Sequence, residues 1–157
     1  SKTSVELIKS LGGTPTPMSF GEVYTALQSG VIDAAENNET ALTDNKHGEV
    51  AKNYYNTEHA IVPDILIMNK DAYNDLSKEE KGWIKSAARS STEKHEVIWD
   101  KAIKEAIKSA KKDMNVKFHD VDKSSFKKAV KPLQEEFKNN KGTEKQYKLI
   151  KEAEQNE

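Results

Sequence analysis

Histidine is the residue type in this sequence best suited to metal binding or proton transfer, and four are present: His47, His59, His95 and His119. No two of them are three or four residues apart, so a helix would not present a pair of them to one ion. The sequence also lacks cysteine, an HExxH motif, a GxSxG motif and a glycine-rich loop that opens a helix. The sequence therefore indicates no catalytic residue, no metal site and no cofactor site.

A polar run, Glu36-Asn37-Asn38, follows an apolar segment, residues 31–35, that predicts a short buried strand. A helix pattern precedes the strand, and together they predict an α/β unit. Ligands of open α/β sheets bind beyond the carboxyl ends of the strands, which makes Asn37 and Asn38 candidate ligand contacts. The alternative is that these asparagines cap a helix that begins near Glu39, and spacing alone favours the cap.

Composition narrows the class of protein. The chain has 157 residues and a mass of 17.6 kDa, the size of one domain or of a part of a larger protein. Its 25 basic and 26 acidic side chains nearly cancel, which argues against a general nucleic-acid-binding protein. No apolar run approaches the roughly 20 residues of a membrane-spanning helix.

Helix signals organise the first 30 residues. The apolar spacing of residues 4–11 predicts a helix that stops at Gly12. Ser19 and Glu22 then form a capping-box pattern, which predicts the start of a second helix that ends near Gly30. Two prolines between these helices predict a short extended segment.

In the middle of the chain, two predicted helices flank the most apolar segment. Residues 40–52 predict a helix, and residues 60–68, the most apolar segment, predict a long strand. A second capping-box pattern, Ser77 with Glu80, opens a helix that no glycine or proline interrupts between residues 83 and 114. At 1.5 Å per residue this stretch measures about 48 Å, longer than one small domain is wide. The helix should therefore bridge two bodies or project from one.

The last part of the chain predicts one strand and two helices. Residues 115–121 alternate as a strand does, and residues 126–137 predict a helix that Pro132 kinks. Residues 144–153 predict a final helix. The lysine-rich stretches of these helices alternate with glutamate, which is typical of solvated helix faces.

Residues 11–37 resemble a signature of the extracytoplasmic solute receptors of TRAP transporters, the DctP-type family. The family pattern is Gly–small–x–Pro–x–Pro, then Glu–x–Tyr–x–Ala–Leu, then Gly–Val–x–Asp–x–x–Glu–Asn, and this sequence fits almost every element of it. The order of the remaining predicted elements is similar as well. The resemblance is to the C-terminal half of the family only, because members run to about twice this length.

The resemblance implies an α/β fold: one lobe of a two-lobed Venus-flytrap, periplasmic-binding-protein-like structure, with hinge elements. It divides the chain into four parts. These are an α/β unit of the C-terminal lobe (1–60), a strand that crosses toward the absent N-terminal lobe (61–76), a hinge-spanning helix (77–114), and the strand and closing helices of the C-terminal lobe (115–157).

The resemblance also implies a set of ligand-binding residues. Asn37 matches an asparagine that hydrogen-bonds the ligand carboxylate, which reverses the preference for a cap. Phe20 matches an aromatic residue that lines the apolar side of the pocket, with core packing as an equal alternative. His59 matches a histidine near the cleft floor, and a buried structural histidine is the favoured alternative. The family's clamp arginine precedes residues 4–11 and is not in this sequence; Arg89 does not match it.

The function implied is that of a solute-binding protein, not an enzyme, that captures a small organic acid and delivers it to the TRAP membrane permease. A dicarboxylate, a keto acid and a sugar acid all fit this description. The resemblance places the protein outside the cytoplasm, in the periplasm or lipid-anchored at the membrane. We expect residues 60–68 and the long helix to self-associate or to be locally disordered in the half chain, since their partner lobe is absent.

Two other functions remain open from the sequence. The 77–114 helix alone would suit a helical protein–protein interaction module, although its alanine-rich apolar stripe departs from strict heptads. An enzyme that uses Glu36 or His59 as a base is the third alternative, and no orienting partner for either is evident in the sequence.

Overall fold

The computed structural model describes residues 1–154, which form eight α-helices and a two-stranded sheet. These residues divide into two compact units. The first unit comprises residues 1–32, 55–59 and 120 onward, and the second comprises residues 33–54 and 60–119. No helix of the described part is long and apolar enough to cross a membrane.

The described residues of the first unit form four α-helices. Helix α7 packs against both α1 and α8. The bounds of the four helices are α1 Lys2–Ser10, α2 Val23–Ser29, α7 Ser124–Asn139 and α8 Glu144–Glu154. All four predicted helices of this part are therefore present, and Pro132 lies inside α7 as expected.

The helix boundaries in the first unit follow the predicted capping residues. Gly12 adopts a left-handed φ of 85° just after α1, a conformation that glycine accepts at little cost. Ser19 and Glu22 pair as predicted: the Glu22 carboxylate accepts from the Ser19 backbone N–H at 3.1 Å and from its hydroxyl at 2.7 Å. The pair opens a 3₁₀ turn, Phe20–Glu22, that leads into α2.

The predicted strand at residues 31–35 is wrong. The N–H groups of Val31 and Ile32 both donate to the carbonyl of Ala26, at 2.9 and 3.3 Å, and so close the C-terminus of α2. Groups used in this way cannot also form a strand ladder, and no strand is assigned to these residues. Val31 is 69% exposed, so the segment is not buried either.

The second unit contains the other four helices, of which α6 is by far the longest. Their bounds are α3 Thr40–Asp44, α4 His47–Val50, α5 Lys70–Asn74 and α6 Lys78–Asp113. The single helix predicted over residues 40–52 is therefore two short helices. The break falls at Lys46, whose left-handed φ of 58° cannot continue a right-handed helix.

Helix α6 has 36 residues, which corresponds to about 54 Å, and it covers almost all of the predicted 77–114 segment. Its start is the predicted capping box. The N–H of Glu80 donates to the Ser77 hydroxyl oxygen at 3.2 Å, and the N–H of Ser77 donates to the Glu80 carboxylate at 2.8 Å. A hinge-spanning role for this helix stays a prediction.

The core of the second unit lies around the C-terminal end of α6. Leu42, Ala110 and Val116 are buried there, and Tyr54, Met114 and Phe118 pack against them half-buried. The backbone of α4 approaches this cluster so closely that a Cβ atom at Gly48 would lie 2.6 Å from the Met114 sulfur and 3.1 Å from the Leu42 carbonyl oxygen.

The sheet consists of β1 (Asn53–Asn56) and β2 (Lys117–Asp120). Strand β2 agrees with the strand predicted at residues 115–121, whereas β1 was not predicted. The boundary between the two units falls within both strands. On the second unit's side, the ammonium group of Lys52 donates to the carbonyl oxygens of Gly48 and Met114, at 2.8 and 2.9 Å.

Residues 60–68 form no strand, contrary to the prediction. No backbone hydrogen bond ties them to any other described residue. Their apolar side chains face solvent: Ile61 is 94% exposed and Leu66 is 80% exposed. A strand requires a neighbour to pair with its N–H and C=O groups, and the described residues supply none here.

Candidate functional site

Asn37 lies in the second unit, in the irregular segment that precedes α3. Its side-chain oxygen accepts from the backbone N–H of Asn38 at 2.9 Å, and its backbone carbonyl accepts from the Tyr54 hydroxyl at 3.3 Å. No described residue accepts from its side-chain NH₂ group. Asn37 is exposed, so this amide is a hydrogen-bond donor available to a ligand.

The alternative role of Asn37 and Asn38, a helix cap, is wrong. Glu39 is the N-cap residue of α3, and no side chain accepts from the helix N–H groups there. The side-chain oxygen of Asn38 instead accepts from the Thr40 hydroxyl at 2.9 Å. The two asparagine side chains thus form hydrogen bonds within the segment before α3 but accept none from the N–H groups of the first turn of α3.

Tyr54 connects strand β1 to the Asn37 segment, and sequence reasoning did not identify it. Its ring lies 5.0 Å from that of Phe118, between centroids, and belongs to the apolar cluster at the end of α6. Burial, with the nearby Glu39 carboxylate as the second cause, raises the pKa of Tyr54 to about 12. The Tyr-Tyr pair in the sequence is the signal that could have indicated this residue, since aromatic residues favour strands.

Phe20 begins the 3₁₀ turn before α2 in the first unit. Its side chain is 49% exposed, so the core-packing alternative is wrong. An exposed aromatic ring of this kind can cover the apolar face of a ligand.

His59 is also in the first unit and is exposed. Its Nδ1 atom lies 2.7 Å from the hydroxyl oxygen of Thr57. The alternative role of a buried structural histidine therefore does not apply to His59. It applies to His47, which is 5% exposed within α4 and whose pKa is lowered by burial.

The three predicted ligand-binding residues are divided between the units: Phe20 and His59 belong to the first, and Asn37 to the second. Two surface depressions, of about 500 and 240 Å³, lie along α6 in the second unit. Neither is lined by Asn37, Phe20 or His59. The described residues 1–154 contain no cluster of three histidine, aspartate or glutamate side chains that could hold a metal ion.

An ion pair joins two segments of the first unit just beyond the strands. The ammonium group of Lys123 contacts the carboxylate of Glu58, which also accepts from the Asn56 side-chain amide at 3.3 Å. The hydrogen bond from Lys123 is the main reason that the pKa of Glu58 is lowered. This pair holds residues 55–59 beside the start of α7.

The sequence of the chain matches the family model of DctP, bacterial extracellular solute-binding protein, family 7, over residues 1–140. The chain belongs to this family. The resemblance found in residues 11–37 is thereby confirmed. The family comprises extracellular solute-binding proteins, which agrees with the predictions of a binding protein rather than an enzyme and of an extracytoplasmic location.

Three proteins illustrate the similarity. The YiiZ protein of Salmonella typhimurium is 42% identical over 139 residues, which are 88% of this chain and 42% of YiiZ. A TRAP periplasmic solute-binding protein of Anaerococcus prevotii, crystallised with bound glucuronate, is 40% identical with a TM-score of 0.90; the match covers 97% of this chain and 49% of that one.

The corresponding protein of Chromohalobacter salexigens, with bound D-glucuronate, is 33% identical with a TM-score of 0.92; the match covers 98% of this chain and 51% of that one. The predicted α/β solute-binding fold is confirmed by these neighbours. The chain spans about half the length of the relatives that it matches.

Proposed function

We propose that this chain supplies one half of a TRAP-type solute receptor and that Asn37 donates a hydrogen bond to the carboxylate of a small organic acid. The observation that supports this role is the arrangement of Asn37, whose side-chain oxygen is used within the protein while its NH₂ group is left for a ligand. A hydrogen bond to a charged group is worth about 1.5–3 kcal/mol.

The other two candidate residues complement an acid of this kind. The half-exposed ring of Phe20 offers an apolar surface against which carbon atoms of the ligand can pack. His59 is exposed and contributes a polar imidazole ring. Both residues belong to the first unit.

Among organic acids, a sugar acid is the class that the comparisons favour. Two structural neighbours of this chain, at 40% and 33% identity, hold glucuronate. A dicarboxylate and a keto acid also carry the carboxylate that Asn37 would bind, but they lack the ring and most of the hydroxyl groups of a uronate. These acids are therefore the competing ligands in the test below.

We infer further that the exposed apolar residues of 60–68 are covered in a protein of family length. The relatives are about twice as long as this chain, and the unmatched half provides a body large enough to pair with this segment. Closure of two such lobes around an acid would exclude water and strengthen its charge-assisted hydrogen bonds.

The experiment is calorimetry on the protein encoded by the complete reading frame that contains these residues. D-glucuronate is compared with D-glucose, which shares the ring but lacks the carboxylate, and with succinate and pyruvate. Binding of D-glucuronate without binding of D-glucose supports the proposal. If only succinate or pyruvate binds, the ligand is a different organic acid and not a sugar acid. If no acid binds, or if D-glucose binds equally well, carboxylate recognition is overturned.

Delivery of the acid to a TRAP membrane permease completes the proposed function. Cells that lack this gene should take up less of the radiolabelled acid than wild-type cells, and the gene supplied in trans should restore uptake. Uptake that is unchanged by the deletion would contradict a role in transport.

A further inference from the structure

The Tyr54 hydroxyl joins the Asn37 segment to the folded core of the second unit. The segment from residue 33 to residue 39 contains neither helix nor strand, so it has little regular structure of its own to hold it. The carbonyl oxygen of Asn37 accepts from the Tyr54 hydroxyl at 3.3 Å, across 17 positions of sequence. This hydrogen bond ties the candidate ligand-binding residue to β1.

Tyr54 is itself well anchored. Its ring packs against Phe118 of β2, and both rings contact the buried cluster of Leu42, Ala110 and Val116. The ammonium group of Lys111 lies 4.9 Å from the centroid of the Phe118 ring. The hydroxyl is therefore presented from a fixed ring rather than from a mobile side chain.

The Tyr54 hydroxyl remains a donor at all physiological pH values. Burial and the nearby Glu39 carboxylate raise its pKa to about 12, so the phenol stays protonated. Asn37 therefore accepts two hydrogen bonds at any physiological pH. Its backbone carbonyl accepts from the Tyr54 hydroxyl, and its side-chain oxygen accepts from the N–H of Asn38. The side-chain NH₂ group of Asn37 has no acceptor among the described contacts.

We propose that Tyr54 is a positioning residue, which holds the backbone of Asn37 so that the Asn37 side-chain NH₂ group faces the carboxylate of the ligand. The inference rests on the proposed function of Asn37. Tyr54 does not contact the ligand and acts only through Asn37. Its effect on binding should therefore disappear when Asn37 is replaced, whereas a general effect on stability would persist.

The test in the complete protein is a double-mutant cycle measured by calorimetry with D-glucuronate. Tyr54→Phe removes only the hydroxyl and should weaken binding by about threefold to tenfold. In an Asn37→Ala background the same change should have no further effect, within about twofold. Tyr73→Phe is the matched control, since Tyr73 is also half-buried in the second unit, and its hydroxyl has no hydrogen-bond partner among the described residues.

A second arm uses the 157-residue chain without ligand. In ¹H–¹⁵N spectra, Tyr54→Phe should shift the side-chain NH₂ signals of Asn37 and the backbone signal of Asn38, while Tyr73→Phe should leave both unchanged. Spectra in which Asn37 is unaffected by Tyr54→Phe would overturn the proposal. Equal losses of affinity in the wild-type and Asn37→Ala backgrounds would overturn it too, because Tyr54 would then act independently of Asn37.

Failure of the proposed function has a different signature. If the unmodified protein binds no acid, the carboxylate-binding function is contradicted, yet the ligand-free spectra still decide whether Tyr54 fixes Asn37. If the unmodified protein binds D-glucuronate and Tyr54→Phe changes neither affinity nor spectra, only the positioning role is contradicted.

Discussion

The two ends of helix α6 differ in what covers their apolar side chains. Near the C-terminal end, Ala106 and Ala110 are buried, and the cluster around Leu42 and Val116 surrounds Ala110. Toward the N-terminal end, the large apolar residues face solvent, and Trp83 is 62% exposed. The contrast extends to residues 60–68, which are the most apolar part of the sequence and among the most exposed in the structure.

This difference shows that apolar composition indicates which residues form a buried surface but does not identify the residues that cover it. Alanine at the C-terminal end lets α3 approach α6 closely, so small residues form a core there. At the N-terminal end of α6, tryptophan and isoleucine side chains form a surface that no other described residue covers. Exposed apolar patches of this kind are typical of interfaces. The relatives are about twice as long as this chain, and the part of them that it does not match is the candidate to cover such a patch.

The largest expected effect compares the same substitution in the two regions. Leu42→Ala removes a side chain that is 5% exposed and should lower the free energy of unfolding by about 2–5 kcal/mol. Leu66→Ala removes one that is 80% exposed and should change it by less than about 0.5 kcal/mol. Urea denaturation of the 157-residue chain, at a concentration low enough to keep it monomeric, measures both. A comparable loss for Leu66→Ala would mean that residues 60–68 are buried in solution.

Self-association of the 157-residue chain is the second prediction. Light scattering should show species larger than a monomer, because residues 60–68 and α6 expose apolar surface. Leu66→Lys should weaken this association by about tenfold or more, since it places a charge where the associated form would bury a leucine. Leu149→Lys, at a position of α8 that is 57% exposed, is the control.

A monodisperse monomer at all concentrations would contradict self-association. Hydrogen exchange offers the independent check, since amides of residues 60–68 should exchange rapidly in a monomer and slowly in the associated form. Slow exchange in a monomer would show that the chain itself protects this segment.

Two glycine-to-alanine substitutions should change the free energy of unfolding in opposite directions. Gly48→Ala places a Cβ 2.6 Å from the Met114 sulfur and 3.1 Å from the Leu42 carbonyl, and we expect a loss of about 1 kcal/mol in the free energy of unfolding. Gly82→Ala adds a methyl group to α6 in open space and should gain about 0.5–1 kcal/mol. Thermal or urea unfolding measures both. A gain at Gly48 would show that the core near α4 is looser than the contacts indicate.

The pH dependence of stability is the smallest predicted effect. Burial lowers the pKa of His47 below its ordinary value, so the unfolded chain binds a proton more readily than the folded chain as pH falls through about 6.5. The contribution of His47 to stability is therefore present above that pH and is progressively lost as the pH falls below it. His47→Asn should remove this part of the pH dependence in urea unfolding, and the exposed His95→Asn should retain it. An unchanged pH profile in His47→Asn would contradict the assignment.

Local capping signals predicted the helices well, because a cap needs only residues near in sequence. Ser19 with Glu22 and Ser77 with Glu80 both form the expected pairs, and the long helix begins within one residue of its predicted start. The single helix over residues 40–52 was wrong, since a left-handed Lys46 is not evident from apolar spacing.

Strands were predicted less well, because a strand depends on a partner strand that is often distant in sequence. Residues 31–35 and 60–68 are apolar as strands are, yet neither finds a partner among the described residues. At the candidate site, the family resemblance identified Asn37, while its hydrogen bond from Tyr54 depends on folding that brings residues 17 positions apart together. That contact could not be read from spacing.

The central claim is that the Asn37 NH₂ group contacts the carboxylate of the ligand. Calorimetry with D-glucuronate on the complete protein tests it most directly through Asn37→Asp, which replaces the donor by a like charge. The account predicts a loss of affinity of about tenfold to a hundredfold, whereas Asn74→Asp, the same change at the exposed end of α5, leaves affinity unchanged. Equal affinity for wild type and Asn37→Asp would contradict the claim.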